Sequence, residues 1–383
     1  MPVAQEETQA PPISRSWRSI AGFVLVVQSI LLLAHWFVYR TWLAFHPLSR
    51  GGVLWQQLTV LVLSVSFVAA SVLGFRYSNT AVRWFYTAAA TWLGFFNFFF
   101  LAACLSWPVY FVAALARISV RRPAVADALF GLAATCGIYG VVNARWIRVK
   151  RIAVELPNLP LSWRGRTAAV VSDIHVGHVN GPSFMRRIVR MITRLNPDVV
   201  FIPGDLYDGG SGDAEALVAP LKDLSVPFGA YFVTGNHEHF SNAESYVSAI
   251  RGAGVRVLDS EKVNLDGLQV IGVNYTDSVS AERYRAVLDN IGVTRNRPSV
   301  LLSHVPHLLE VPQGAGISLQ LSGHTHRGQI FPFTWPTKRI FKQFTYGLSR
   351  IGNLLVYTSS GSGTWGPPMR LGTSPEIVLI RFE

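Results

Sequence analysis

The chain has 383 residues, of which 50% are apolar, and it carries a formal net charge of +12. This length is enough for two domains. The charge does not by itself indicate nucleic-acid binding, because residues 1–150 hold 12 Arg and Lys against three acidic residues, whereas the rest of the chain holds 22 against 19. The two cysteines, Cys104 and Cys136, lie in apolar runs and indicate no redox compartment.

Four long runs in the first part of the chain are nearly free of charge. Each is close to or longer than the roughly 20 residues that a helix needs to cross the hydrocarbon core. Trp and Tyr residues cluster near the ends of the runs, as they do at membrane interfaces. The alternative, a set of buried helices in a soluble protein, is disfavoured by four such runs separated by short loops that carry arginine. We therefore predict four membrane helices, over residues 20–39, 53–75, 87–115 and 125–142.

The basic residues that flank these runs predict an orientation. With four spans, eight Arg and Lys residues share one side of the membrane and five lie on the other, and the positive-inside rule assigns the larger group to the cytoplasm. We therefore expect a multi-pass protein of the inner or plasma membrane, with both termini in the cytoplasm. The eight residues are Arg15, Arg18, Arg76, Arg83, Arg145, Arg148, Lys150 and Arg151.

Composition divides the chain into four segments. Residues 1–19 start with a weakly apolar, proline-containing stretch that is typical of a disordered tail, and no small-residue cleavage site follows the first apolar run closely. Residues 20–145 form the predicted membrane domain, and residues 146–166 form a proline-punctuated linker. Residues 167–383 form the predicted second domain.

Short apolar runs alternate with helical patterns in this second domain. The runs are compact and mostly rich in β-branched or aromatic residues, which predicts buried strands in an α/β fold. The predicted strands lie in 167–173, 198–205, 229–236, 268–274, 299–304 and 318–324. The predicted helices cover 182–195, 213–224, 241–253 and 280–290.

Polar residues follow five of the predicted strands. Loops at the carboxyl ends of strands build the sites of open α/β sheets, so we expect these residues to meet. Any single pair of them could be a coincidence of composition, but five in order after five strands indicate a site. Carboxylate, imidazole and amide ligands suit Mn, Fe or Zn, and seven ligands exceed what one open centre takes. The seven residues are Asp173, His175, Asp205, Asn236, His304, His324 and His326.

The motifs that contain these residues resemble those of the calcineurin-like metallophosphoesterases, in that family's order and approximate spacing. They read "SDIHVGH", "GDLYDG", "GNHEHF", "SHVP" and "GHTHRGQ". The resemblance covers about residues 165–383, and the ending "GSGTWGPPMRLGTSPEIVLI" is similar to the membrane-anchored bacterial branch. That branch includes phosphodiesterases and pyrophosphatases of lipid-linked substrates such as UDP-diacylglucosamine. The resemblance implies a four-layer αββα sandwich.

The resemblance also implies a role for each site residue. Asp173, His175 and His326 would hold one metal ion, Asn236, His304 and His324 a second, and Asp205 would bridge them. Two divalent ions, with Mn favoured over Fe or Zn, would clamp a phosphoryl group and activate a water. His237 matches the family's catalytic histidine, and Asp208 matches the residue that orients it.

Two positions near the motifs differ from the residues found in relatives. In the phosphoprotein phosphatases of this superfamily an arginine that grips phosphate follows the aspartate, whereas this chain has Gly209, which argues against protein phosphatase activity. Arg327 stands where a glycine is common in relatives. It could contact the phosphate of a substrate, or it could be an exposed arginine without a role.

The favoured function is therefore a membrane-anchored phosphodiesterase or pyrophosphatase with membrane lipids as partners and a lipid-linked substrate. A phosphodiesterase of nucleotides or nucleic acid is the enzymatic alternative. We expect no nucleic-acid partner, since the second domain lacks a concentrated basic stripe with stacking aromatics. A non-enzymatic membrane scaffold is the third possibility, but such a protein would be expected to lose metal ligands.

The segment 330–346, "IFPFTWPTKRIFKQFTY", follows directly on the last motif. It combines four Phe, one Trp and one Tyr with Lys338, Arg339 and Lys342. Aromatic rings and cations in such a mixture are typical of segments at a membrane surface. The alternative is a loop packed on its own domain.

Overall fold

The computed structural model describes residues 17–46 and 50–383 of the chain. Most of the predicted disordered tail therefore lies outside the described residues, and residues 17–19 belong to the first helix. The α-helices of the described residues are α1 Trp17–Phe45, α2 Arg50–Gly74, α3 Thr80–Leu115, α4 Arg122–Arg145, α5 Pro182–Leu195, α6 Ala214–Val218, α7 Ala243–Gly252, α8 Tyr275–Ser278, α9 Ala281–Ile291, α10 Glu310–Ala315 and α11 Thr334–Phe341.

Twelve strands occur in the described residues. They are β1 Arg148–Val154, β2 Thr167–Val170, β3 Val199–Pro203, β4 Ala230–Val233, β5 Arg256–Val257, β6 Glu261–Leu265, β7 Leu268–Gly272, β8 Ser299–Leu302, β9 Leu319–Ser322, β10 Gly347–Ile351, β11 Leu354–Thr358 and β12 Glu376–Phe382. All six predicted strands are confirmed.

Helices α1 to α4 coincide with the four predicted membrane runs. Each contains a stretch that is long and apolar enough to span a membrane, by length and composition. Most of the large apolar side chains of these helices that are exposed, such as Leu25, Leu61, Phe111 and Leu132, lie within the apolar stretches. Exposed apolar surface of this extent is stable in lipid and would be unstable in water.

The strands form two six-stranded sheets. The first has the order β1-β12-β2-β3-β4-β5 and the second the order β10-β11-β9-β8-β7-β6. Strands β2, β3, β4 and β5 are parallel, as are β11, β9, β8 and β7. The carboxyl ends of the inner strands of each sheet therefore lie at one edge of that sheet.

Alternating side chains divide the core into layers. In β2, Ala168 and Val170 join a cluster that holds side chains of both sheets, whereas Ala169 joins a cluster with α5 and α7. This alternation follows from the two-residue period of a strand. A third cluster packs α9 and α10 against the other face of the second sheet. The four-layer αββα arrangement is therefore confirmed.

Helix α5 illustrates how the sequence specifies the outer layer. Its buried residues Met185, Ile188, Val189 and Ile192 recur at helical spacing on one face. Pro182 begins the helix, where its missing N–H costs nothing, and Asn196 ends it in the left-handed conformation, at a φ of 47°.

The segment 146–166 is more than a linker. Its residues 148–154 form β1, which pairs in parallel with β12 over seven residues. The pattern "RVKRIAV" obscures this strand because three of its first four residues are charged, as the half-exposed edge of a sheet allows. The interpretation of the whole segment as a linker is therefore wrong for these residues.

The chain divides into two compact units, and their limits differ from the predicted boundaries. One unit takes the described part of residues 1–69 together with 100–129, and the other takes 70–99 together with 130–383. The end of α2, the first part of α3 and the later part of α4 thus belong to the same unit as the two sheets.

Two glycines explain why these helix segments pack on the second domain. A Cβ atom at Gly94 of α3 would lie 3.0 Å from Cε of Met369, and one at Gly140 of α4 would lie 2.5 Å from its Cγ. The side chain of Met369 is fully buried, and it leaves no room for a Cβ atom at Gly140 and little room for one at Gly94. Beside it, the backbone N–H of Arg370 donates to Gly140 O at 2.9 Å, and Asn143 Nδ2 donates to Arg370 O at 2.9 Å.

Candidate metal centre

The seven predicted ligands all lie just beyond the carboxyl ends of strands. The parallel arrangement of these strands brings the loops together at one edge of each sheet. The strands and their residues are β2 with Asp173 and His175, β3 with Asp205, β4 with Asn236, β8 with His304, and β9 with His324 and His326.

The first cluster consists of Asp173, His175 and His326. One ligand atom from each lies within 4.8 Å of the others. His175 Nε2 is 3.0 Å from His326 Nε2, and His326 Nε2 is 3.4 Å from Asp173 Oδ1. Burial lowers the pKa of both histidines well below its ordinary value, which favours the neutral imidazole that metal ions bind.

The second cluster consists of Asp205, His304 and His324, whose ligand atoms also lie within 4.8 Å of one another. His304 Nε2 is 3.1 Å from Asp205 Oδ2. Asn236 extends this cluster, because its Oδ1 lies 2.9 Å from His324 Nδ1. The side chains therefore lie in two sets, and the assignment of a metal ion to each set, which the resemblance implies, stays a prediction.

Asp205 lies between the two clusters. Its Oδ2 is 3.9 Å from His175 Nε2 of the first cluster and 3.1 Å from His304 Nε2 of the second. Its Oδ1 accepts a hydrogen bond of 2.9 Å from the backbone N–H of His237. Burial acts to raise the pKa of Asp205, but His304, His175 and His237 outweigh it and hold that pKa well below the usual range. One oxygen of an ionised carboxylate is therefore directed at both clusters.

The backbone at the ligand positions is strained. Asp173, His175, Asp205, His324 and His326 all have positive φ angles, between 45° and 68°. Residues other than glycine seldom adopt this conformation, and each instance costs on the order of 1–3 kcal/mol where the surroundings enforce it. Concentration of such strain at five of the seven ligand positions is a mark of a functional site.

Two glycines allow the loops to approach one another. A Cβ atom at Gly235 would collide with the carboxylate of Asp205, and one at Gly323 would collide with the carboxylate of Asp173. These collisions explain why glycine precedes the ligand in the motifs "GNH" and "GHTH".

Unpaired buried atoms in the centre fit bound cations. Asp173 Oδ2 is buried without a hydrogen-bond partner among the described residues, and the buried His304 Nε2 makes no hydrogen bond of good geometry although Asp205 Oδ2 lies 3.1 Å away. Such atoms are costly unless an ion or water satisfies them. His304 Nδ1 lies 2.8 Å from Pro203 O, a contact that directs Nε2 into the site as in metal-binding histidines. Nitrogen and oxygen donors of this kind suit Mn, Fe or Zn, so the residues fit two divalent cations.

Comparison with known proteins assigns the family. Residues 166–328 match the sequence profile of the calcineurin-like phosphoesterases. A Danio rerio protein described as a transmembrane protein with a metallophosphoesterase domain is 30% identical over 395 residues, which cover 94% of this chain and 88% of that protein. The chain belongs to the calcineurin-like phosphoesterase family.

Bacterial members of the family are also similar to this chain. An uncharacterized metallophosphoesterase of Campylobacter jejuni is 30% identical over 64% of this chain and 66% of its own length. Another, of Aquifex aeolicus, is 30% identical over 66% of this chain and 98% of its own length. The family and the four apolar helices identify the chain as a membrane protein with a phosphoester hydrolase domain.

His237 and Asp208 adjoin the metallophosphoesterase centre as expected, but their contacts differ in detail. His237 Nδ1 lies 3.1 Å from the backbone oxygen of Asp208, and 3.9 Å from its carboxylate Oδ1. The same Oδ1 is 3.6 Å from His175 Nδ1. Asp208 thus faces both a predicted catalytic histidine and a predicted ligand. Burial, reinforced by Asp205, raises the pKa of Asp208 well above its ordinary value, and burial lowers the pKa of His237.

Glu238 is a further residue of the centre, and sequence reasoning missed it. Its buried carboxylate accepts hydrogen bonds from the backbone N–H groups of Asp205 at 3.1 Å, Tyr207 at 3.0 Å and Gly235 at 2.7 Å. Burial and the nearby Asp205 raise the pKa of Glu238 to about 7. Glu238 therefore ties the loop after β3 to the loop after β4. The signal available in the sequence was its place in "GNHEHF", directly after His237.

We expect Glu238→Ala to lower the free energy of unfolding by about 3 kcal/mol or more, because it leaves three buried N–H donors without an acceptor. The measurement is thermal unfolding of the full chain in detergent. Glu244→Ala, which removes an exposed carboxylate from α7, is the matched control. Equal shifts in Tm for the two variants would contradict the bracing role of Glu238.

Arg370 is the second residue that sequence reasoning missed. It is fully buried, and its Nη2 donates to Gly363 O at 2.7 Å and lies 3.3 Å from His326 Nδ1. Its Nη1 donates to His326 O at 3.4 Å. Arg370 therefore fixes the position of His326.

Arg327 remains an open prediction. Its side chain is exposed, and its guanidinium lies over the ring of Tyr346, 4.6 Å from the centroid. This contact gives the arginine a structural partner, while a role in binding phosphate rests on its place in the motif alone.

Proposed function

We propose that the protein hydrolyses a phosphodiester or pyrophosphate bond of a lipid-linked substrate at the membrane surface. In this proposal Asp173, His175 and His326 hold one divalent cation, and Asn236, His304 and His324 hold the second, with Asp205 shared. Two such cations, with Mn favoured, supply Lewis-acid activation of water and of the phosphoryl oxygens. His237 protonates the leaving oxygen, and Asp208 orients His237 and His175.

The observation that carries the lipid proposal is a continuous path from a membrane helix to the metal centre. Asn97 Nδ2 of α3 donates to Phe331 O at 3.0 Å. The ring of Phe331 contacts Trp335 of α11 at 5.0 Å between centroids, and Phe341 at the end of α11 contacts the ring of His324 at 6.0 Å. A segment that touches a membrane helix at one end and a predicted ligand at the other would bring the centre close to the lipid surface.

The exposed face of this segment supports the same conclusion. Phe333, Trp335 and Ile340 are between 55% and 70% exposed, and Lys338 and Arg339 on the same helix are exposed. Apolar rings beside cations are typical of helices at an anionic membrane surface. Phe344, in contrast, packs against a core cluster, so it is not part of this surface.

The orientation follows from the distribution of charge in the sequence. Eight basic residues against five favour a cytoplasmic location for both termini and for the catalytic domain. The substrate would then be presented from the inner leaflet.

The test is a panel of substrates offered to the full chain in nanodiscs with Mn²⁺. We expect phosphate-containing products from lipid-linked diesters or pyrophosphates, and slower cleavage of soluble nucleotides and of DNA or RNA. Cleavage confined to nucleotides or nucleic acid would contradict the lipid proposal while leaving the hydrolase intact.

A substitution in the exposed face separates lipid docking from catalysis. We expect the triple change Phe333→Ser, Trp335→Ser and Ile340→Ser to slow hydrolysis of lipid substrates by about tenfold or more, because each buried apolar side chain is worth roughly 1.5–3 kcal/mol. Hydrolysis of a small soluble diester should change far less.

The control is Leu161→Ser, which removes an apolar side chain that is 80% exposed on another loop. A parallel fall in both activities would indicate that the segment supports the fold instead of docking on lipid. Unchanged lipid activity would mean that the segment does not contact the bilayer.

A further inference from the structure

We propose that Phe240 and Trp365 form a subsite for the leaving group, and that the subsite binds an alkyl chain. The inference rests on the proposed function, because it takes His237 as the donor of a proton to the leaving oxygen. It adds that the apolar part of the substrate belongs to the leaving group.

Both aromatic side chains contact the imidazole of His237. The ring centroid of Phe240 is 4.5 Å from that of His237, at an interplanar angle of 51°. The centroid of Trp365 is 5.9 Å from it, at 77°. A group that protonates the leaving oxygen must come within hydrogen-bond distance of that oxygen. The carbon attached to the leaving oxygen therefore lies beside these two rings.

The two rings are exposed although they border a buried centre. Phe240 is 55% exposed and Trp365 is 57% exposed, whereas His237 is buried. Large aromatic side chains that are exposed beside a reactive group are typical of a surface that binds a ligand.

The position of Phe240 follows from the small residue below it. Gly209 has a φ of 78°, and a Cβ atom there would lie 2.8 Å from His237 O and 3.1 Å from Cβ of Phe240. A longer side chain at position 209 would be strained and would displace the phenyl ring. At the position where the phosphoprotein phosphatases carry an arginine that grips phosphate, this chain thus supports an apolar ring.

Trp365 is held rigidly at its backbone. Its N–H donates to Gln329 Oε1 at 2.9 Å, and its carbonyl accepts from Gln329 Nε2 at 2.9 Å. Gln329 Nε2 also donates to Pro367 O at 3.1 Å. Gln329 itself is buried and has a φ of 51°. A fixed backbone lowers the entropy cost of using the exposed indole to bind a ligand.

The apolar rings of Phe240 and Trp365 favour an alkyl chain as the group that the subsite binds. A phenyl and an indole offer wide apolar faces, which gain free energy by covering CH₂ groups. Helix α11 adjoins the same centre at His324 and presents further apolar side chains. The leaving group is accordingly an alcohol or phosphate that carries an alkyl chain.

The experiment compares two methyl phosphodiesters whose leaving alcohols have matched acidity, difluoroethanol and difluorododecanol. The full chain is assayed in nanodiscs with Mn²⁺, and release of methyl phosphate gives kcat/KM for each ester. The variants are Phe240→Ala and Trp365→Ala, and Leu161→Ala is the control. We expect each aromatic truncation to lower the preference for the dodecyl ester by about tenfold, through a higher KM, within the range known for small changes in apolar pockets.

Binding of dodecyl(methyl)phosphinate and of ethyl(methyl)phosphinate, which carry P–C bonds in place of the ester bonds and therefore cannot be hydrolysed, provides a second readout by equilibrium dialysis. Loss of affinity for the dodecyl compound alone in both aromatic variants would support the subsite. An equal loss for the long and the short compounds, or no loss, would overturn it. If the native protein hydrolysed neither ester, the proposed phosphodiester hydrolysis would fail, and the dialysis result would still decide whether the subsite exists.

Discussion

Replacing Asp205 by asparagine is expected to remove most hydrolysis and to lower the amount of bound metal. Asp205 Oδ2 is directed at His304 Nε2 and His175 Nε2, at 3.1 Å and 3.9 Å, so its charge serves both clusters. Asparagine keeps an oxygen that can accept from the backbone N–H of His237, which preserves the local hydrogen bond. The loss therefore reports the charge and not the shape of the side chain. Elemental analysis and initial rates measure it.

Asp208→Asn is the matched comparison for that variant. The native carboxylate of Asp208 faces His175 Nδ1 and His237 Nδ1. It is not the carboxylate that the two metal clusters share, which belongs to Asp205. We expect metal content at saturating Mn²⁺ to persist and the rate to fall by roughly 10–100-fold, the scale for a carboxylate that orients a ligand or a catalytic histidine. Equal metal content and equal rates in both variants and the native protein would contradict the assignment of two metal ions.

His237→Ala is expected to keep its metal and to lose roughly 10²–10⁴-fold in rate, the usual contribution of a positioned acid or base. The side chain of His237 lies outside the two groups to which the proposal assigns metal ions, although it shares a third group of possible metal-binding side chains with His175 and Asp208. Under the proposal, metal occupancy should not depend on His237. Its Nδ1 lies 3.1 Å from Asp208 O, which accepts a hydrogen bond, so Nδ1 carries a hydrogen and Nε2 donates a proton to the leaving oxygen when the ring is the imidazolium.

Leaving groups of different acidity distinguish proton donation from other roles of His237. Nitrophenol departs without much protonation, so the loss of rate in His237→Ala should shrink for nitrophenyl esters and persist for alkyl esters. The same loss for both kinds of ester would contradict the role of a general acid.

The inner strands and the ligands could be predicted because their signals are local. Each of β2, β3, β4, β8 and β9 is a short, fully or almost fully buried run, apolar in most positions, and the first candidate ligand follows it within three residues. Parallel strands then bring residues as far apart as Asp173 and His326 to one edge of the sheets. The strand pattern predicts that these residues meet, whereas their division between two metal ions is what the resemblance to the family implies.

The edge strands could not be predicted, because their pattern depends on distant partners. Residues 148–154 carry three charged side chains among the first four positions and three apolar ones after them, and they become a strand through pairing with residues 376–382. The same limit applies to Phe344, whose burial against the third cluster is invisible in a segment rich in aromatics and cations.

Glu238 and Arg370 were missed for a related reason. A charged residue is usually exposed, and only the folded chain supplies the three N–H donors around Glu238 or the carbonyl groups around Arg370. The motif around Glu238 drew attention to the adjacent His237, and the loop around Arg370 contained no pattern that predicts burial.

Excising the second domain as a soluble fragment would cut through packed structure. A protein that started at β1 would keep all seven candidate ligands, but Met369 would lose its packing against Gly94 and Gly140. The backbone of Arg370 would lose the carbonyl of Gly140 and the amide of Asn143, while its side chain is what holds His326. The helices thus belong to the enzyme's catalytic framework, and a fragment without them should bind metal more weakly than the intact chain.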